Sequence, residues 1–236
     1  MSRVLVGIAT VSPDRRFLES LPLFLRDAGK HHEVDTRWVW NKPLVEAQNE
    51  LAQACLDGGY EYLLTIEDDH WGFTAQMLEA CLAADSHVCG IPYRSRHMPF
   101  QLLPMRYADG VDQHGRQLYD VVNETGGYHA ADLIGFGFTL IRADVFRILD
   151  RPFFRLNCET IKSVGPRATD IDFCVRLGQQ GIRPAGCFDY KVQHRDIDEA
   201  SYQEMRVSGV MERHSMFGML WKQHKRIQEE LKRNHA

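Results

Sequence analysis

Tyr62-Leu63-Leu64-Thr65-Ile66-Glu67-Asp68-Asp69-His70 joins an apolar run directly to consecutive carboxylates. A short apolar segment that stops at acids reads as a buried central strand of an open α/β sheet, carrying charge to the carboxyl edge where such sheets bind ligands. Glu67, Asp68 and Asp69 cannot all be buried and ionised without a cation, because unpaired buried carboxylates take up protons instead. A hard divalent ion that also bridges phosphates is the economical partner. A solvated acidic turn capping the next helix is the competing reading, and the buried strand ahead of the acids weighs against it.

Outward from this strand the chain alternates element types. Val4 to Ile8 reads as a buried strand, followed by a helix with Ser12 as cap, Pro13 in its first turn, and an apolar face through Phe17, Leu18, Leu21, Leu23, Phe24 and Leu25. Val34 to Trp40 reads as a second strand. Pro43 then opens a helix with Leu44, Ala47, Leu51, Ala52 and Cys55 at helical spacing, and Gly58-Gly59 ends it. Past the acids, Thr74 precedes a helix through Met77, Leu78, Cys81 and Leu82, and His87 to Ile91 reads as a further strand. This alternation predicts a mostly parallel sheet covered on both faces.

From about residue 92 to 127 the pattern shifts to short β-like pieces, Gln101 to Tyr107 and Gln117 to Val122, broken by Asp109-Gly110 and His114-Gly115, which reads as an inserted hairpin. Beyond it come the apolar run Leu133 to Arg142, a helix from Ala143 to Leu149, another from about Thr169 to Gln180, and the strand-like Tyr190-Lys191-Val192-Gln193 ahead of His194. Residues 200–236 read as a basic helical extension to a main domain over 1–199.

With 236 residues, 44% hydrophobic and 25% charged, the chain has apolar material for one large core. Its net charge of -4 argues against a surface that traps nucleic acid or anionic lipid as a whole. The N-terminal apolar run is too short for a secretory signal, and no stretch approaches the roughly 20 apolar residues of a membrane span, so a soluble, cytoplasmic protein is expected. The six cysteines show no zinc-ribbon or redox spacing and read as buried free thiols.

Tyr62 to Asp69 resembles the strand and DxD-type acidic motif of GT-A glycosyltransferases, in a Glu-Asp-Asp variant. The likeness implies a fold, a Rossmann-like GT-A sheet with the hairpin insertion and the C-terminal helix, and a cofactor, Mn²⁺ or Mg²⁺. It implies Asp69 as metal ligand, Glu67 as supporting acid and Asp68 as a donor-side acid without a fixed role. Pro43 to Ala52 is similar to the family helix that often reads Ala-Arg-Asn and faces the nucleotide; Asn49 matches, whereas Gln48 stands where arginine is frequent. Gly135-Phe136-Gly137 and the following Leu140-Ile141-Arg142 resemble a segment in which small residues, Gly135 and Gly137, let the backbone approach the donor sugar. A bulge or tight turn is the plain reading of that pair of glycines taken alone.

Thr169-Asp170-Ile171-Asp172-Phe173-Cys174 is similar to the family's base-bearing helix start, with Thr169 in place of a glutamate. Thr169 and Asp172 also match a capping box, which gives Asp172 a structural job and leaves Asp170 as the better general base, with Asp172 the alternative. Beside a helix N-terminus Asp170 is expected to keep a low pKa. His194 resembles the late histidine that completes the metal shell, and imidazole with carboxylate suits Mn²⁺.

Thr10 and Ser12 follow the first strand, where the family holds the nucleotide, although Ser12 also suffices as a cap. Arg94 and Arg96 could clamp a diphosphate, and Trp71 could stack on a sugar or base or simply pack.

The resemblance implies transfer of a sugar from a UDP- or GDP-sugar donor to an acceptor hydroxyl, with inversion through an aspartate base. The acceptor stays open among glycan, lipid, small molecule and modified nucleic acid. A homo-oligomer through the C-terminal helix is a further expectation. A metal-dependent phosphohydrolase or nucleotidyltransferase is the runner-up, and a non-catalytic nucleotide-sugar binding protein comes third; Ala9-Thr10-Val11-Ser12-Pro13 lacks the Gly-rich basic loop that a nucleotidyltransferase would favour.

Overall fold

The computed structural model describes residues 1–94, 102–111, 117–122, 124–156 and 169–195. Arg96, the segment 200–236 with its expected helix, and any oligomer contact through it lie outside the described residues. Met1–Arg94 and Leu102–His194 form one compact unit.

The first half follows the predicted alternation: β1 (Arg3–Thr10), α1 (Arg15–Ala28), β2 (Glu33–Trp40), α2 (Leu44–Asp57), β3 (Tyr62–Ile66), the two-residue β4 (His70–Trp71), α3 (Ala75–Ala83) and β5 (Val88–Gly90). Short strands β6 (Tyr93–Arg94), β7 (Leu102–Leu103), β8 (Met105–Val111), β9 (Gln117–Val121) and β10 (Tyr128–Ala130) come next. Then follow β11 (Phe138–Arg142), α4 (Val145–Ile148), α5 (Thr169–Gln179), β12 (Ala185–Cys187) and β13 (Gln193–His194). The expected hairpin is β8 paired antiparallel with β9, Met105 opposite Val121.

The central sheet has seven strands in the order β10-β12-β5-β11-β3-β1-β2. β1 runs parallel to β2 and β3, and β12 parallel to β5. β11 is antiparallel to both β3 and β5, and β10 to β12. The antiparallel β11 matters for the site: Phe138 pairs with Ile66, so the turn before β11 meets the segment after β3 at one edge.

Side-chain alternation along β1 feeds two apolar layers. Leu5 joins Leu51, Leu63, Phe146 and Phe173 on one face, whereas Val4, Val6 and Ile8 join Phe17, Phe24, Leu64 and Phe138 on the other. Burying a large apolar side chain of this kind contributes about 1.5–3 kcal/mol, so both faces of β1 are strongly specified.

Several local expectations shift. The cap of α1 is Asp14, whose carboxylate accepts the Arg16 N–H at 2.9 Å, while Ser12 is exposed ahead of it. Asp14 holds that place because its own N–H donates to the Asp68 carbonyl at 2.8 Å. Gly58 and Gly59 do end α2, with Gly59 at φ 64°, a backbone region that suits glycine. Strands β10 and β12 carry no clear alternation in sequence and were not anticipated. The expected strand Tyr190 to Gln193 is instead the two-residue β13, which includes His194.

Asn49 departs from its expected nucleotide-facing role. Its Nδ2 donates to the carbonyls of Phe154 and Val45, both at 2.8 Å, and its Oδ1 accepts the Phe154 N–H at 3.1 Å. Phe154 stacks on Phe173 of α5 at 4.9 Å, so the amide ties α2 to the loop beneath α5. An Asn49→Leu variant leaves both backbone groups of Phe154 without these partners, and urea melts should show a loss of about 2–3 kcal/mol.

Candidate metal and donor site

Strand ends assemble the site at one edge of the sheet. Thr10 closes β1, Glu67-Asp68-Asp69 leaves β3, Tyr93 lies just beyond β5, and Gly135-Phe136-Gly137 enters β11 at the same level. The turn before β11 is fixed by two hydroxyls: Thr139 Oγ1 donates to the Gly135 carbonyl at 2.7 Å, and Thr65 Oγ1 donates to the Thr139 carbonyl at 3.1 Å.

The β4–β13 ladder sets His194 directly opposite His70. Cross-strand neighbours stand close enough for their side chains to pack, and the two imidazoles stack with centroids 4.1 Å apart and planes 9° apart. Asp69 lies against both: its Oδ1 is 2.8 Å from His70 Nδ1 and its Oδ2 is 3.6 Å from His194 Nε2. One ligand atom from each of Asp69, His70 and His194 lies within 4.8 Å of the others.

His194 Nδ1 is 2.7 Å from the Arg94 carbonyl. A carbonyl only accepts, so Nδ1 carries a proton, and Nε2 is the nitrogen left facing Asp69. That Nε2 is buried with no hydrogen-bond partner among the described residues. A buried, unpartnered imidazole nitrogen beside a carboxylate and a second imidazole is what a bound cation satisfies, and a donor set of two nitrogens and a carboxylate fits Mn²⁺ better than Mg²⁺, which prefers oxygen.

The structure therefore brings the expected Asp69 and His194 together but adds His70, which the sequence reading passed over. Glu67 stands outside this group, with Oε2 3.7 Å from His70 Nδ1. The signal for His70 was present as a histidine adjoining the last acid, and what was missing was the ladder that faces it with His194.

Asp68 gains a partner: the Thr10 hydroxyl donates to its Oδ2, so Thr10 and Asp68 bind each other across the ends of β1 and β3. Trp71 is also engaged, with the Arg16 guanidinium 3.6 Å above its ring, and the sugar-stacking role offered for it gives way to this cation–π contact. Arg94 meets the site through its carbonyl, while its side chain is exposed.

Gly137 is set by contact. A Cβ there would meet His70 Cδ2 at 2.6 Å, well inside van der Waals contact, so only glycine lets the imidazole lie flat behind the turn. Gly137→Ala should weaken Mn²⁺ capture by roughly 10–100-fold, read by titration of the free ion, because the histidine must swing away.

Asp170 and Asp172 open α5, and Cys174 of the same helix donates its thiol to the Ile134 carbonyl at 3.7 Å, docking the helix start near Gly135. Burial pushes the Asp170 carboxyl up to about 6, with the Ile171 amide and its own amide holding it partly back. The low pKa expected from the helix terminus is thus overridden by desolvation. Asp172 is buried, and its Oδ2 has no hydrogen-bond partner among the described residues, contrary to the capping role expected for it.

Tyr93 is buried, and its phenol is kept neutral first by burial and then by Glu67, Asp170 and Asp69, against the backbone hydrogen bond that Gly137 gives it. Gln48 is buried as well, with Oε1 unpartnered among the described residues.

No protein family matches this chain, and no curated protein matches it in sequence. Among solved structures, A197 from STIV superposes at a TM-score of 0.54 with 15% identity, covering 84% of this chain and 87% of that one. GalNAc-T7, solved with UDP, GalNAc and Mn²⁺, superposes at 0.57 with 10% identity over 84% of this chain. The chain spans 44% of the GalNAc-T7 chain. At these identities the likeness shows the fold alone, an α/β GT-A architecture with a large, mostly parallel sheet flanked by helices. No helix among the described residues is long and apolar enough to cross a membrane.

Proposed function

We propose that this chain is a metal-dependent glycosyltransferase that moves a sugar from a nucleoside-diphosphate donor, a UDP- or GDP-sugar, to an acceptor hydroxyl with inversion. The observation that carries the reading is the Asp69–His70–His194 group at the carboxyl edge of the sheet, with the half-buried Asp170 close enough to act on Tyr93 together with Glu67 and Asp69. GalNAc-T7, which shares the fold, was solved with UDP, GalNAc and Mn²⁺, and that set supports the same ligand class here.

Asp69, His70 and His194 would hold the divalent ion, whose charge would offset that of the leaving diphosphate. Asp170 accepts the proton of the acceptor hydroxyl; at about 6 its pKa lies nearer neutrality than an ordinary aspartate's, which makes it a stronger base while leaving it mostly ionised at pH 7. The Thr10–Asp68 bond holds the acidic loop to β1, and Gly137 lets the backbone close on His70. Asp172 is the reserve base. Five buried free cysteines among the described residues, Cys55, Cys81, Cys89, Cys174 and Cys187, suit a reducing, cytoplasmic setting.

A thermal-shift panel of UDP-, GDP-, CDP- and dTDP-sugars, with and without Mn²⁺, tests the reading. A donor at 100 times its Kd should add about 2.7 kcal/mol of stability, and only when Mn²⁺ is present. Stabilisation by none of the donors, or stabilisation indifferent to metal, would sink it.

A further inference from the structure

Tyr93 is the side chain against which both imidazoles rest. Its ring meets His70 edge-on with centroids 4.4 Å apart at 83°, and meets His194 at 5.4 Å and 79°. The tyrosine is 4% exposed, and the next residue, Arg94, supplies the carbonyl that fixes the His194 tautomer. A second backbone bond, Val192 N–H to the Pro92 carbonyl at 3.1 Å, holds the chain leading into β13 against the segment leading into β6.

Gly137 leaves no room for a Cβ against His70. The imidazole pair is thus confined by Tyr93, by the Gly137 turn and by the Asp69 carboxylate. Edge-to-face ring contacts of this kind favour one relative orientation of the rings and so select one orientation of a ring that would otherwise turn.

We infer that Tyr93 is a positioning residue, whose ring, rather than its hydroxyl, holds the stacked His70–His194 pair in the orientation that captures the metal ion. The inference rests on the metal reading of the Asp69–His70–His194 group and extends it from the ligands to the residue that orders them. The ring supplies the packing surface, while the hydroxyl takes a backbone hydrogen bond from Gly137, so Tyr93→Phe removes that bond and keeps the ring, and Tyr93→Leu removes both. Partners behind metal ligands act by fixing the ligands before the ion arrives, so losing one weakens affinity without removing a ligand.

The experiment measures Mn²⁺ affinity by electron paramagnetic resonance of the free ion, using the full chain as wild type, Tyr93→Phe, Tyr93→Leu and Phe24→Leu. Phe24 is a buried core residue that packs on Phe73 and Phe138 of the same apolar layer as Tyr93, and it controls for general loosening of that layer. Tyr93→Phe should bind at wild-type affinity, and Tyr93→Leu roughly 10–100-fold more weakly, with a cooperative urea transition retained. Phe24→Leu should lose stability and keep its Mn²⁺ affinity.

In the metal-free proteins, the imidazole resonances of His70 and His194 should match between wild type and Tyr93→Phe and move in Tyr93→Leu. Wild-type affinity in Tyr93→Leu overturns the inference, as does an equal loss in Tyr93→Phe or in Phe24→Leu. If wild type captures no Mn²⁺, the metal reading falls, and the metal-free resonances then decide alone whether Tyr93 orders the pair: unchanged resonances in Tyr93→Leu refute it.

Discussion

Asp69→Ala is expected to abolish the Mn²⁺-dependent thermal shift and to lower turnover by about a thousandfold or more, since charge stabilisation by a bound ion is worth several kcal/mol and each 1.36 kcal/mol is tenfold in rate. The reason is positional. Asp69 lies against both imidazoles, at 2.8 Å from His70 Nδ1 and 3.6 Å from His194 Nε2. Alanine leaves two stacked rings with no carboxylate between their nitrogens, and two neutral imidazoles alone hold a hard or borderline ion poorly.

Asp69→Asn separates charge from shape: it keeps an oxygen in place and removes the charge, so it should recover packing but little metal affinity. Isothermal titration of Mn²⁺ into the three proteins reads the difference directly. Wild-type affinity in Asp69→Ala would end the assignment of this group as the metal site. A matching loss in Glu67→Gln would move the centre of the site toward Glu67, whose carboxylate stands 3.7 Å from His70.

What could be read from sequence divides by range. The strand and acidic loop, Tyr62 to Asp69, were legible because burial and charge meet within a few residues, and β3 spans Tyr62–Ile66 as expected. Helices α1, α2 and α3 were legible from 3.6-residue spacing, since one apolar stripe must face the sheet. The ends were less so: Asp14 displaces Ser12 as the cap of α1 because its amide has a long-range partner in Asp68, a contact that no local pattern contains.

The same distinction governs the site. Asp69 and His194 could be named from motif order, yet His70 could not, because its role depends on β4 and β13, each two residues long and too short to carry a periodic signal. Asn49 fits a nucleotide-facing motif by position, but its amide matches both backbone groups of Phe154, 105 residues away. Asp170 looked like an ordinary helix-terminal acid, and only the packing around it shows that desolvation outweighs the two amides.

That raised pKa gives Asp170→Asn a double signature. Burial keeps the folded carboxyl protonated up to about 6, whereas in the unfolded chain it ionises near 3.8. Between those values the folded protein holds a proton that the unfolded chain has lost, so stability falls as pH rises through the window, and above about pH 6 the full cost of the buried charge is present. Asparagine carries no charge to desolvate. In metal-free buffer at pH 7.5, Asp170→Asn should therefore be more stable than wild type by about 3 kcal/mol, with the difference disappearing below about pH 4, where both proteins are neutral at this position.

Activity should move the opposite way. Without a carboxylate to take the acceptor proton, kcat falls by roughly 10²–10⁴-fold while donor binding in the thermal-shift assay persists. A group that is costly to the fold and needed for turnover is the pattern of a functional acid, whereas a structural one would lose stability on replacement. Urea melts at pH 4, 5, 6 and 7.5 on both proteins supply the first half, and initial rates supply the second. A destabilised Asp170→Asn at pH 7.5 would contradict the burial argument, and an unchanged kcat would pass the role of base to Asp172, whose buried Oδ2 then becomes the oxygen to test.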